Sequence, residues 1–221
     1  MSRYIAPGTI SSPNDLIEYY VENAEPVDPA SAKGYSERCI HSECYKRYPG
    51  VNAVIHSHSE AVVPYSISGV PLRPCFHMAG FLGTHVPIYE IADAYRKDDI
   101  RDMLVRNTHL GATLAACFSD GQSDEHLPKH NVTLMRGHGF TVVAENIEEC
   151  VLRAIYTQKN AMIQTAALTT AAAYGGGAQK VRYLSEPESV ASANMTKWSA
   201  QRPWKLWLRE VEACGLYVNS A

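Results

Sequence analysis

Hydrophobic and polar positions fall into short blocks along this chain, and their period switches repeatedly between helix-like and strand-like. Residues 36–47 read as a helix. Ser36 is placed to cap the free backbone donors, Glu37 lies in the first turn, and Lys46 and Arg47 suit the negative end of the dipole. Pro49-Gly50 stops it, and the apolar run Val51-Asn-Ala-Val-Ile-His-Ser-His58 follows as a buried strand. Residues 61–67 predict a short helix ended by Gly69. Residues 70–75 and 86–91 look like strands around a loop over 77–83. Residues 98–117 carry helical spacing through Ile100, Met103, Leu104, Leu110 and Leu114. Residues 132–135 form a strand that 140–144 are expected to continue, and 16–21 alternate like another short strand.

The clearest helix opens at Asn146. Asn146 and Glu149 suggest a capping box, and Ile147, Val151, Ala154, Ile155, Ala161 and Met162 suggest an apolar face running to Tyr174, with Gly175-Gly-Gly177 as the stop. The tail from about residue 198 is aromatic (Trp198, Trp204, Trp207), with Pro203 near its middle. It predicts a helix that packs on this chain's core or on a neighbour. Strands alternating with helices, without repeats or low-complexity linkers, predict one α/β domain over 1–221.

Composition narrows the function. A chain of 221 residues with 46% hydrophobic and 19% charged residues can bury a full core. A net charge of −3 with no basic run argues against nucleic acid or an anionic membrane as the main partner. No stretch matches the roughly 20 apolar residues of a membrane span, and the first eight residues lack the apolar core of a secretory signal. The six cysteines show no C-x-x-C spacing, so buried thiols in a reducing cytoplasm are expected.

The chemistry concentrates on histidine. His56 and His58 are alternate residues at the end of a strand, so both imidazoles project to one side. His138, in Met135-Arg-Gly-His-Gly139, stands at a second strand end between glycines that permit close backbone approach. Three imidazoles are the donor set of a catalytic divalent ion that keeps a position open for substrate. The plain alternative is a strand end with half-exposed imidazoles. Glu37 is the candidate proton carrier, with Glu43 and Glu60 as competitors. For most first-turn glutamates, complementing the helix dipole is role enough. His77 and His85 flank the glycine-rich loop, His126 and His130 read as surface, and Tyr95, Tyr156 and Tyr217 cannot be assigned from spacing.

The segment from Glu37 to His58, followed by Leu134-Met-Arg-Gly-His-Gly139 and the helix from Asn146, resembles the class II aldolase/adducin family. The resemblance runs from about Ile5 into the tail. It implies a three-layer α/β/α sandwich around a mostly antiparallel sheet. It further implies one Zn2+ or Mn2+ per chain on His56, His58 and His138, proton transfer by Glu37, and a homotetramer with sites at subunit junctions. Family members usually carry a further N-terminal Gly-Asn-x-Ser segment that helps hold a sugar phosphate. This sequence starts beyond it, so unphosphorylated substrates are expected. Residues 71–83 resemble the hydroxy-pyridine dicarboxylate decarboxylase branch, and Arg73 or His77 is the candidate to hold a substrate carboxylate. The expected function is a metal-dependent carbon–carbon lyase, a decarboxylase or retro-aldolase, acting on a hydroxy- or keto-acid through an enolate. The alternatives are a dehydratase or isomerase with the same chemistry, or a non-catalytic adducin-like interaction module.

Overall fold

A computed structural model describes residues 1–119, 126–175, 177 and 180–220. A four-stranded sheet forms its centre, in the order β1 (Ala53–Ser57), β4 (Gly139–Ala144), β3 (Val132–Met135), β2 (Ile88–Tyr89). β4 runs antiparallel to both β1 and β3, and only the two-residue β2 is parallel to its neighbour. Residues 140–144 therefore do not continue β3. They turn back beside it through Arg136-Gly-His138, because Gly137 takes φ +63° and so reverses the chain. Gly139 is required for a different reason. A Cβ there would stand 2.0 Å from the Ser57 carbonyl oxygen, so only glycine lets the hairpin close against the end of β1. That closure brings the His138 turn beside His58.

Side-chain alternation divides the core into two layers. Val54, Tyr89, Met135 and Val143 point to the face covered by α1 (Arg38–Arg47) and α3 (Thr108–Ala116), where Ile40, Cys44, Leu110 and Leu114 are buried. Ala53, Leu134, Phe140 and Val142 point to the opposite face, against Val62 and Tyr65 around α2 (Val63–Ile67) and Cys150, Leu152 and Ala161 of α4 (Ile147–Ala173). Each fully buried large apolar side chain contributes about 1.5–3 kcal/mol. The result is the expected α/β/α sandwich around a mostly antiparallel sheet.

Several local expectations fail for identifiable reasons. Residues 70–75 have no strand partner. Instead α4 supplies an equivalent ladder from side chains. Gln164 accepts from the Arg73 N–H (2.9 Å) and donates to the Pro71 carbonyl (2.8 Å), while Asn160 accepts from the Cys75 N–H (2.9 Å) and donates to the Arg73 carbonyl (2.8 Å). Buried Thr157, Asn160 and Gln164 thus occupy the inward face of α4, and Ile147 and Met162 of the expected apolar stripe are exposed. Asn146 does cap α4, accepting from the Glu149 N–H, but the Glu149 carboxylate pairs with Arg153 rather than closing a box. Residues 16–21 make only isolated bridges, Ser2–Leu16 and Tyr19–Pro26, and 77–82 wind into 3₁₀ turns. Helical structure within 98–117 begins only at Thr108, capped by the Asn107 side chain. Of the glycine stop after α4, Gly176 lies outside the described residues; Gly175 takes φ +65°. The tail folds as α5 (Glu186–Ser199) and α6 (Gln201–Ala213), with Pro203 in the first turn of α6, where a missing N–H costs nothing. Trp207 packs on the α4-side core, whereas Trp198 is 75% exposed. Among the described residues, no helix is long and apolar enough to cross a membrane.

Candidate metal centre

His56 lies on β1 on the α1-facing side, His58 just beyond the strand, and His138 in the β3–β4 turn. Their ring centroids are 4.6–4.9 Å apart in every pairing. The Nε2 atoms of His58 and His138 are 2.9 Å apart. Glu37, at the N-terminal cap of α1, faces all three: its oxygens lie 3.6 Å from His56 Nε2, 3.9 Å from His58 Nε2 and 3.7 Å from His138 Nε2. One ligand atom from each of the four groups falls within 4.8 Å of the others.

Hydrogen bonding prepares His56 for a cation. His56 Nδ1 donates to the Phe140 carbonyl (3.1 Å), which fixes the proton on Nδ1 and leaves Nε2 as a bare lone pair. That Nε2 is buried with no hydrogen-bond partner. A buried unpaired acceptor costs about 1–3 kcal/mol, a cost that a divalent ion would remove. Three imidazole nitrogens and one carboxylate suit Zn2+ and other first-row ions equally, so the donor set fits a divalent metal without choosing among them. The His58 side chain is 63% exposed, so the cluster opens to solvent on that side, while the side chains of His56 and His138 are only 11% and 9% exposed.

Burial, reinforced by His138 and His58, pushes the His56 pKa down to about 3. Burial also lowers His138, opposed by the neighbouring Glu37 carboxylate. Both rings are therefore neutral, the form that binds metal. The stability consequence has a definite sign. An unfolded chain protonates this histidine near its ordinary value of about 6.5 and so binds more protons than the fold below that pH. The stability is complete above pH 6.5 and declines as the pH falls toward 3. The urea midpoint of metal-free protein is expected to drop across this window, and to drop less steeply in His56→Ala.

The other sequence candidates separate from the cluster. Arg73 stacks on the Tyr183 ring at 4.3 Å, and its backbone is held by α4. His77 is exposed, its ring edge-on to Phe76 and its carbonyl accepting from Ser192. Neither contacts the histidines or Glu37. Glu43 is buried and pairs with Lys46, Glu60 is exposed, and neither joins the cluster. Ser36 makes no cap; Glu37 is the N-cap residue of α1 and makes no side-chain cap, its carboxylate facing the histidines instead. Sequence reading missed two backbone groups, the Phe140 carbonyl behind His56 and the Val105 N–H, which donates to Glu37 Oε1 at 3.1 Å. No residue type encodes either one.

Residues 7–165 match the Class II Aldolase and Adducin N-terminal domain family. The chain belongs to this family. Over its whole length it is 54% identical to Decarboxylase tropJ of Talaromyces stipitatus, covering 84% of that protein. It is 33% identical to the 3,4-dihydroxyphthalate decarboxylase of Arthrobacter keyseri over 55% of this chain and 45% of the relative. An aldolase II superfamily protein from Pseudomonas syringae shares the fold, with a TM-score of 0.66 at 17% identity over 93% of this chain and 74% of that one. The full-length likeness to a decarboxylase bears out the expected enzyme class, a lyase.

Proposed function

We propose that this protein is a divalent-metal-dependent decarboxylase of unphosphorylated hydroxy- or keto-acids, with aromatic ortho-hydroxy acids the first substrates to test. The observation that carries this reading is the convergence of three imidazole Nε2 atoms opposite the Glu37 carboxylate on a solvent-open face. Full-length likeness to a decarboxylase favours loss of CO2 over aldol cleavage.

His56, His58 and His138 would hold the ion through their Nε2 atoms. When bound, the ion supplies Lewis-acid stabilisation of negative charge on a substrate oxygen, worth several kcal/mol. The chain does the rest. Glu37 would take the proton of the substrate hydroxyl on Oε2, the oxygen facing His56 and His58, and deliver it to the carboxylate-bearing carbon. From the resulting β-keto acid the bond to the carboxylate breaks, and its electron pair passes to the adjacent carbonyl oxygen. CO2 departs, and solvent reprotonates that oxygen. The Val105 N–H holds Oε1 and so keeps the other oxygen turned inward. The Phe140 carbonyl keeps the His56 ring in its binding tautomer.

Zn2+ and Mn2+ are the candidate ions. The proposal extends to a homotetramer, a single functional domain over 1–221, and a cytoplasmic setting, where the six free cysteines stay reduced. Arg73 and His77 enter this scheme only if a neighbouring subunit brings them to a site. The direct experiment measures CO2 release from aromatic hydroxy-acids by protein loaded with Zn2+ or Mn2+. Release by loaded protein and none after chelation is the expected result. Cleavage of unphosphorylated aldols without CO2 release would overturn the decarboxylase assignment.

A further inference from the structure

The segment over 101–106 has no regular structure, yet it reaches both halves of the metal centre. Three successive backbone N–H groups each donate to a side-chain oxygen: Met103 to Tyr95 Oη at 2.9 Å, Leu104 to Asp102 Oδ1 at 3.2 Å, and Val105 to Glu37 Oε1 at 3.1 Å. Met103 itself sits at φ +69°, a left-handed conformation that a side chain with a Cβ rarely adopts. Such a residue persists only where its surroundings hold it. Here they include the Tyr95 hydroxyl and the contact of the Met103 methyl with Gly137, where a Cβ would lie 3.3 Å away. Val105 is fully buried, so its N–H has no recourse to water if it loses Glu37.

We infer that Tyr95 is a positioning residue for Glu37. Its hydroxyl holds the Met103 turn in the left-handed region, and that turn aims the Val105 N–H at the carboxylate. Tyr95 touches none of the reacting groups under this assignment. The ring is half-buried against the α1–α3 core, and Arg101 of the same segment places its guanidinium 5.6 Å from the ring centre. Asp102 closes the turn on itself by pairing with Arg106, so the segment is tied to the body of the fold by Tyr95 through the Met103 N–H and by the buried Val105 side chain. The inference rests on the proton-transfer role proposed for Glu37, but the hydrogen-bond chain it describes can be measured without turnover.

The test uses metal-loaded full-length protein. Tyr95→Phe is expected to keep one ion per chain and a KM within twofold, while kcat falls about tenfold. Amide hydrogen exchange at 103–105 is expected to accelerate about tenfold as well. In a Glu37→Gln background the same change is expected to cost no further kcat, because there is no longer a proton carrier to misplace. Glycine adopts a positive φ without strain, so Met103→Gly added to Tyr95→Phe is expected to restore most of the lost kcat. An equal loss in the Glu37→Gln background would overturn the inference. A raised KM at constant kcat would overturn it too, since Tyr95 would then be a substrate contact. If no CO2 is released by the unaltered protein, the decarboxylase reading fails by itself. Exchange at Val105 then decides the inference: acceleration in Tyr95→Phe supports it, and an unchanged rate overturns it.

Discussion

Replacing His56 with alanine is expected to empty the metal centre and lower decarboxylation by at least about a thousandfold, the equivalent of several kcal/mol of lost Lewis-acid stabilisation. His56 is the proposed ligand to choose because its environment is the most suited to binding a cation. Its Nδ1 is engaged with the Phe140 carbonyl, its Nε2 is buried and unpaired, and its side chain is 11% exposed. The loss is not expected to unfold the metal-free protein. The variant removes a buried acceptor that the fold leaves unsatisfied, which offsets the lost packing. Two measurements make this specific. Elemental analysis should fall from one ion per chain to none. Excess metal should raise the melting temperature of the unaltered protein and leave that of the variant unchanged. Linkage at a hundredfold excess over Kd gives about 2.7 kcal/mol, or roughly 5–10 °C for a domain of this size. Full activity in a metal-free His56→Ala protein would refute the metal-dependent mechanism.

The second large effect is expected from Glu37→Gln. Glutamine keeps the shape of the side chain and an oxygen to accept from the Val105 N–H, but it cannot carry a proton from the substrate hydroxyl to carbon. Turnover should fall about 10²–10⁴-fold, the usual contribution of a positioned acid or base. Metal content should stay at one per chain and KM should change little. Loss of the ion along with activity would instead make Glu37 a ligand, a role that its 3.6–3.9 Å approach to all three imidazoles also suits. Undiminished kcat would remove it from the proton path altogether. Taken together, the two variants separate charge stabilisation from proton transfer, the two tasks proposed for this cluster.

The site was more legible in the sequence than the fold around it. Alternation along a strand places His56 and His58 on one side whatever the rest of the chain does, and the glycines around His138 mark a turn that only a close approach requires. Helix α4 followed from periodicity and an N-cap asparagine, and α1 from its terminal charges and the Pro49-Gly50 stop. Legibility ended where a segment's partner was not its own neighbour in the chain. Residues 70–75 have the composition of a strand, but backbone hydrogen bonds of Arg73 and Cys75 go to Gln164 and Asn160, about ninety residues away. The expected apolar face of α4 held only in part: Ala161 is buried in the core, whereas Ile147 and Met162 are exposed and the polar Asn160 and Gln164 are buried. Ser36 looked like the natural cap for α1 and is not one.

The sequence by itself determined which side chains are the candidates for chemistry: three imidazoles at strand ends and a carboxylate opening a helix. These are properties of residue type and local period, and local geometry is nearly all they need. The tertiary structure decided how the four act together. It set the 2.9 Å approach of His58 to His138 across eighty residues, the tautomer of His56 through Phe140, and the orientation of Glu37 through Val105. It also excluded Arg73 and His77 from the cluster within one chain. The physical reason is that a backbone N–H or C=O is the same group at every position, so its role is assigned by packing and leaves no mark in the order of side chains.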